Sequence, residues 1–319
     1  MPTPKTQDCY KHRALQLIRR AKNESGEINL TSLQIAQWLI DNKNNYSKAT
    51  WRQYRASLIY FFSQHALDSS VTSDDVTIVA TIALLKDTYP PADRPPQRKT
   101  SAQKQKKIND ADLICLLDYF NNKLSKHGQS TIAWLFAGLF TGLRPCEWKN
   151  TTINKVSELQ VINAKTTQGR SHGSNRIIHL TELSQQEKDI IQIHLNNIQQ
   201  VQSTEKENQS EFELFYQNCR ACLYEATRAL WPNRKQYITL YSARHQFAAN
   251  AKFSGLPLEH IAALMGHASI ETATQHYGRR SAGNARMKVS ANSDDVGRVM
   301  LLNEHRMDHK QLASLRPPN

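Results

Sequence analysis

The stretch QSTIAWLFAGLF, residues 129–140, is almost wholly apolar and constrains this chain more than any other feature. As a helix it would be only about 18 Å long, too short for a hydrocarbon core of about 30 Å. It therefore reads as a central helix, enclosed by other elements rather than by lipid. Nowhere in the sequence does a run of about 18 apolar residues occur. Enclosing such a helix requires a sizeable core, and 319 residues suffice for two domains.

Residues 9–88 read as a bundle of four short helices. Its segments are CYKHRALQLIRRAK, LTSLQIAQWLID, SKATWRQYRASLIYFFSQHA and VTSDDVTIVATIALLK. The third places Trp51, Tyr54, Leu58, Phe61 and Phe62 on one face. The composition then shifts. YPPADRPPQRKTSAQKQKK holds four Pro and six Lys or Arg against one Asp, and Pro favours extended backbone. The domains are accordingly 1–88, a basic linker 89–107, a second domain 108–285, and a tail 286–319. In the second domain Asp110 is placed to cap the helix ADLICLLDYFNNKL. ELQVINA and NRIIHL are β-rich runs joined by KTTQGRSHGS, which predicts a hairpin with a long polar loop. Helices follow at about 183–202, 211–231, 242–253, 257–265 and 270–277. The fold class is mainly α with a small β-hairpin or sheet (α+β).

A formal charge of +13 attracts polyanions, nucleic acid above all. In the linker, Arg94, Arg98, Lys99, Lys104, Lys106 and Lys107 are the candidate DNA-backbone contacts. The N-terminus MPTPKTQDCYKHR lacks the apolar stretch of a signal peptide, which predicts a cytoplasmic, nucleoid-associated protein. The five cysteines are too few and too scattered for a disulfide framework. Cys219 and Cys222 read as ordinary residues of an amphipathic helix. His305 and His309 are spaced i, i+4, but no third ligand stands nearby, so they read as a solvated tail. The sequence predicts no metal, and without a G-x-x-x-x-G-K-[ST] loop it predicts no nucleotide cofactor.

Cleaving a phosphodiester without a metal needs a nucleophile, cations on the non-bridging oxygens and a proton for the leaving oxygen. Arginine suits the second task because its fork donates two hydrogen bonds and stays charged. Candidates stand far apart in sequence. They are Arg144 in TGLRPCEW, Lys165 in VINAKTTQG, Arg244 in YSARHQFAAN, His267 in LMGHAS and Tyr277 in TATQHYGRR. Taken singly each has an ordinary reading as a surface, packing or core residue. Their order and local contexts carry the argument.

TGLRPCE, then a hairpin lysine, then YSARHQFAAN, then LMGHASIETATQHY, resembles the motif series of the tyrosine recombinases, or phage integrases. The resemblance spans about residues 108–280, and the helical bundle and linker match the family in architecture only. It implies a core-binding helical domain and a catalytic domain that together form a C-shaped DNA clamp. It implies Tyr277 as the nucleophile forming a 3′-phosphotyrosyl link, Arg144 and Arg244 on the non-bridging oxygens, and Lys165 as general acid. His267 would bond the phosphate or orient the nucleophile. Glu147 would hold an arginine or brace its helix, and Gly266 would permit the turn before His267. The family commonly has His three residues before the second arginine, where this chain has Tyr241. A phenol can donate to phosphate there but is no base near neutral pH.

The resemblance further implies double-stranded DNA with inverted arms, a homodimer per site and a homotetramer in the synapse. It leaves open whether an accessory protein takes part. Residues 293–300, SDDVGRVM, predict a short helix with an apolar stripe of Val296, Val299 and Met300, a candidate for exchange between protomers. With the bundle starting near residue 9 there is little room for a further arm-binding domain. That favours a recombinase of a mobile element, acting in integration, excision or cointegrate resolution. The alternatives are an inactive DNA-binding relative, or a telomere resolvase or topoisomerase.

Overall fold

The computed structural model describes residues 3–68, 73–91, 104–154, 157–166, 170–203 and 211–314. Its chain divides into two units, residues 1–98 and 99–319. Arg94, Arg98 and Lys99 lie outside the described residues.

The first unit holds α1 (Pro4–Ser25), α2 (Ser32–Asp41), α3 (Lys48–Asp68) and α4 (Ser73–Asp87). Two of these are not short: α1 has 22 residues and α3 has 21. The first begins five residues before Cys9 because Thr3 caps it and Pro4 stands at its first turn, where a missing N–H costs nothing. A capping box between Thr31 and Gln34 starts α2. Trp51, Leu58 and Phe62 of α3 are buried with Leu17, Leu39 and Leu85, while Tyr54 and Phe61 are partly buried on the same cluster.

The second unit is built on α6 (Gly128–Thr141), which packs against α5 (Asp110–Asn122), α7 (Gln185–Gln202), α8 (Glu211–Leu230) and α9 (Leu240–Phe253). Trp134 of α6 is buried and stacks on Phe215 at 5.6 Å between ring centroids. Full burial of Trp134 and Leu135 contributes about 2–3 kcal/mol each. Asp110 is not the cap of α5. Asn109 is, its side chain accepting from the Asp112 N–H at 2.7 Å, and Asp110 becomes the first helical residue. Both residue types cap well, so the sequence leaves the frame open by one position.

The expected hairpin is the centre of a four-stranded antiparallel sheet. The strands β1 (Thr152–Ile153), β2 (Glu158–Ile162), β3 (Asn175–His179) and β4 (Ser290–Ala291) lie in that order. Register pairs Leu159 with Ile178 and Val161 with Arg176. All four of these are buried, so Arg176 points with the apolar residues into the core. Two short helices, α10 (Leu258–Leu264) and α11 (Ile270–His276), follow α9.

The last helix, α12, runs from Ser293 to Ser314, so the region of His305 and His309 is helical rather than a loose tail. Of its expected stripe, Val296 and Val299 are buried beside Ala262 and Ala263 of α10. Met300 is 45% exposed, one step round the helix from that contact. No helix among the described residues is long and apolar enough to cross a membrane. Cys219 is buried in α8, where burial pushes its thiol up to about 12, and the Cys222 sulfur lies 3.2 Å from the Ser125 hydroxyl.

Candidate active site

The site starts where α6 stops. Gly142 ends the helix with φ +68°, and a Cβ there would lie 2.3 Å from the Phe247 ring, so only glycine fits. Two residues on, Arg144 has extended backbone and caps a 3-10 turn at Pro145–Asn150. Glu147, three positions later, folds back on it. Its carboxylate accepts from the Arg144 N–H at 2.8 Å and from Arg144 Nη1 at 2.5 Å. The TGLRPCE motif is thus a self-contained device that aims one guanidinium.

Glu147 does more than hold Arg144. It also accepts from Arg176 Nη2 at 2.8 Å and from the Ala164 N–H at 3.3 Å, and it lies 3.8 Å from Arg244 Nη1. Burial pushes its carboxyl up, but the charges of Arg176, Arg244 and Arg144 outweigh that and hold it well below the usual carboxylate range. Arg176 was not among the expected site residues. It is 1% exposed, donates through Nε to the Leu264 carbonyl at 2.9 Å, and bonds Asn163 through Nη1. One buried side chain therefore ties β3 to the Arg144 turn, to the end of β2 just before Lys165, and to the end of α10 just before His267. The in–out alternation of NRIIHL was a readable signal, because it puts Arg176 on the same face as Ile178.

Arg244, in the second turn of α9, is fully buried. Nη1 donates to the Gly142 carbonyl and Nη2 to the Met265 carbonyl, both at 2.6 Å. With both terminal nitrogens anchored, Nε is left to donate to the Tyr277 hydroxyl at 3.2 Å. Nη2 also lies 3.0 Å from His267 Nε2. Because a guanidinium only donates, that nitrogen is the acceptor and the ring proton sits on Nδ1, which is buried and has no hydrogen-bond partner among the described residues. Burial, then Arg244, Arg144 and Arg176, push His267 well below its ordinary pKa, so it is neutral near pH 7.

Tyr277 caps the end of α11. Its ring stacks on His267 at 5.1 Å and meets His245 at 5.2 Å, and its hydroxyl lies 3.1 Å from that of Tyr241. Burial would raise the Tyr277 pKa, but Arg244, the Tyr241 hydrogen bond and Arg144 bring it below the ordinary phenol value. Tyr241 moves the other way, and burial pushes it up to about 12. His245, next to Arg244 in the chain, is pushed down to about 4 by burial and by the charges of Lys106, Arg244 and Lys104.

Arg144, Tyr241, His245, His267 and Tyr277 line one cleft of about 520 Å³ with Lys165, Arg170, Ser269, Thr272 and Arg306, and Arg244 lies buried behind it. Lys165 is exposed, and among the described residues it makes no hydrogen bond to Arg144, Arg244, His267 or Tyr277. Lys104, Lys106 and Lys107 are exposed, and Lys104 bridges to Tyr237. Among the described residues the cleft is lined by four cationic side chains and no carboxylate, which suits a doubly or singly charged oxyanion. Gly266, at φ +63°, makes the turn before His267. Among the described residues no three His, Cys, Asp or Glu side chains converge as metal ligands.

Among solved structures, a lambda integrase tetramer bound to a Holliday junction matches at TM-score 0.50 and 15% identity, over 89% of this chain and 74% of that one. This chain has the fold of the tyrosine recombinases. A lambda integrase dimer bound to a COC′ core site matches at TM-score 0.49 and 14% identity, over 90% and 75% of the two chains. XerH site-specific recombinase bound to its difH substrate matches at 0.42 and 15%, over 82% and 73%. No family model matches the sequence, and no curated protein does. At this identity the tyrosine-recombinase fold is what the likeness carries.

Proposed function

We propose that this chain is a site-specific DNA recombinase that cuts and rejoins strands through a 3′-phosphotyrosyl intermediate, in the service of a mobile element. The observation that carries this reading is the Tyr277 hydroxyl, 3.2 Å from Arg244 Nε in a cleft shared with Arg144 and His267 and lined, among the described residues, by no carboxylate. The lambda integrase whose fold this chain shares is itself a DNA-bound tetramer on a Holliday junction.

In this reading Tyr277 attacks the scissile phosphorus. A P–O bond forms to the phenol and the bond to the 5′-oxygen breaks. Arg144 and Arg244 neutralise the charge that builds on the non-bridging oxygens. Lys165, on the rim, gives its proton to the departing oxygen. His267 stacks on the Tyr277 ring and accepts from Arg244, so its role is to orient both rather than to take a proton. The link conserves the energy of the broken bond, and attack by a 5′-hydroxyl reverses it. Lys104, Lys106 and Lys107 engage the backbone of the flanking duplex, and a dimer on each site pairs into a tetramer.

The test uses the full chain and the tightest-binding duplex recovered from a random-sequence pool, nicked so that the cut end diffuses away. A covalent complex on a denaturing gel is expected, lost in Tyr277→Phe while duplex binding survives. Binding without any covalent product would leave a non-catalytic DNA-binding protein. Trapping that survived Tyr277→Phe but not Tyr241→Phe would exchange the nucleophile.

A further inference from the structure

Resting on the reading just given, we propose that the Tyr241 hydroxyl is a catalytic hydrogen-bond donor to the Tyr277 phenolate, sharing with Arg244 the charge the nucleophile carries before attack. Tyr241 and Arg244 stand three residues apart in the first turns of α9, on one face of that helix. Both reach the same atom. The Tyr277 oxygen lies 3.1 Å from the Tyr241 oxygen and 3.2 Å from Arg244 Nε. The arginine nitrogen can only donate, so one lone pair of the phenol is always an acceptor. Once Tyr277 has lost its proton, its oxygen can only accept, and Tyr241 must be the donor of the pair.

The surroundings favour this assignment of protons. Facing Tyr277 are Arg144 from the 3-10 turn, Arg244, Tyr241 and His245 from α9, and His267 from the turn after α10. Lys165, Arg170 and Arg306 complete the rim, and among the described residues no carboxylate lines the cleft. Both histidines are held in their neutral form, by burial first and by the nearby cations second. Tyr277 lies below the ordinary phenol value and Tyr241 above it, so the proton leaves Tyr277 while Tyr241 keeps its own. The Tyr277 proton goes to solvent through the cleft mouth. Attack then forms the P–O bond to Tyr277, and the 5′-oxygen leaves with the proton of Lys165. Tyr241 gains and loses nothing. It holds the nucleophile's oxygen in line and stabilises its ionised form, at the place where a histidine would be expected to meet the phosphate.

Tyr241→Phe removes one hydroxyl and keeps the ring. Single-turnover cleavage of the nicked duplex should fall about tenfold at pH 7, and its pH profile should move up by about one unit. A duplex with sulfur in place of the 5′-bridging oxygen separates the two ends of the reaction, because a thiolate leaves without a proton. Its cleavage should rescue Lys165→Ala and leave the Tyr241→Phe defect as large as before. A direct measurement needs no DNA: the ¹³Cζ signal of Tyr277 in labelled full-length protein, assigned through Tyr277→Phe, should titrate at higher pH in Tyr241→Phe. An unmoved titration, or rescue of Tyr241→Phe by the sulfur duplex, would overturn the proposal. The titration shift in Tyr241→Phe, together with wild-type protein that never cuts any duplex, would instead sink the recombinase reading.

Discussion

Gly266 faces the guanidinium of Arg176 so closely that a Cβ on the glycine would lie 2.7 Å from Arg176 Nη1 and 2.5 Å from Asn163 Oδ1. The turn before His267 is therefore fitted against the buried arginine, and its φ of +63° adds a second demand for glycine. Gly266→Ala should lower stability by about 3 kcal/mol, read as the midpoint shift in urea unfolding. Covalent trapping should fall further than duplex binding, because His267 moves with the turn.

Arg176→Lys keeps the charge and loses the fork. A lysine cannot serve the Leu264 carbonyl, Asn163 and Glu147 together, as the guanidinium does. We expect a loss of about 2–4 kcal/mol in unfolding free energy, with cleavage slowed at least tenfold in the fraction that remains folded. Wild-type cleavage rates in Arg176→Lys would show that the three connections do not position the cleft.

Glu147→Gln should cost about 3–5 kcal/mol at pH 7, since three guanidinium groups lose their shared carboxylate. The pH dependence has a definite sign. The folded pKa of Glu147 lies far below its ordinary 4.5, so the unfolded chain takes up a proton as pH falls through 4.5 while the folded chain does not. Its contribution is present above that pH and lost in acid. Unfolding curves of wild type and Glu147→Gln should therefore converge as pH drops from about 5 toward 3. A gap that stayed constant would contradict the assignment.

His194 makes a separate test of the core. It is fully buried between Trp134, at 4.8 Å, and Trp148, at 4.6 Å, and neither ring nitrogen has a hydrogen-bond partner among the described residues. Burial pushes its pKa down to about 3 from an ordinary 6.5. Below pH 6.5 the unfolded chain binds a proton that the folded chain refuses, so stability falls as pH drops from 6.5 toward 3. At pH 5 this penalty is about 2 kcal/mol. His194→Leu removes it, and should gain about that much more relative to wild type at pH 5 than at pH 8 in chemical denaturation.

The parts of the fold that local pattern controls were legible. The apolar run 129–140 is the central helix, and the α3 stripe is the core of the first unit. The two-residue strands β1 and β4 were not, because they exist only through pairing with distant partners. Likewise the helical turns around His305 leave no pattern in the sequence, since few of their residues are apolar enough to show a period. In the site, Arg144, Tyr241, His267 and Tyr277 line one cleft, and Arg244 is buried behind it with its Nε on the Tyr277 hydroxyl. Arg176 is marked in the sequence by strand alternation alone, for a physical reason. An arginine in a short strand ordinarily faces water, and its burial depends on Glu147, 29 positions away, whose own motif gives no hint of a second cation.

Three arginines share the one carboxylate of Glu147, so the interior around it carries a formal excess of two positive charges. Such an imbalance is costly in a low-dielectric medium. An oxyanion docked in the cleft would relieve it. Folding and anion capture in this protein are then two sides of a single equilibrium, and polyphosphate should raise the melting temperature while it competes for the cleft.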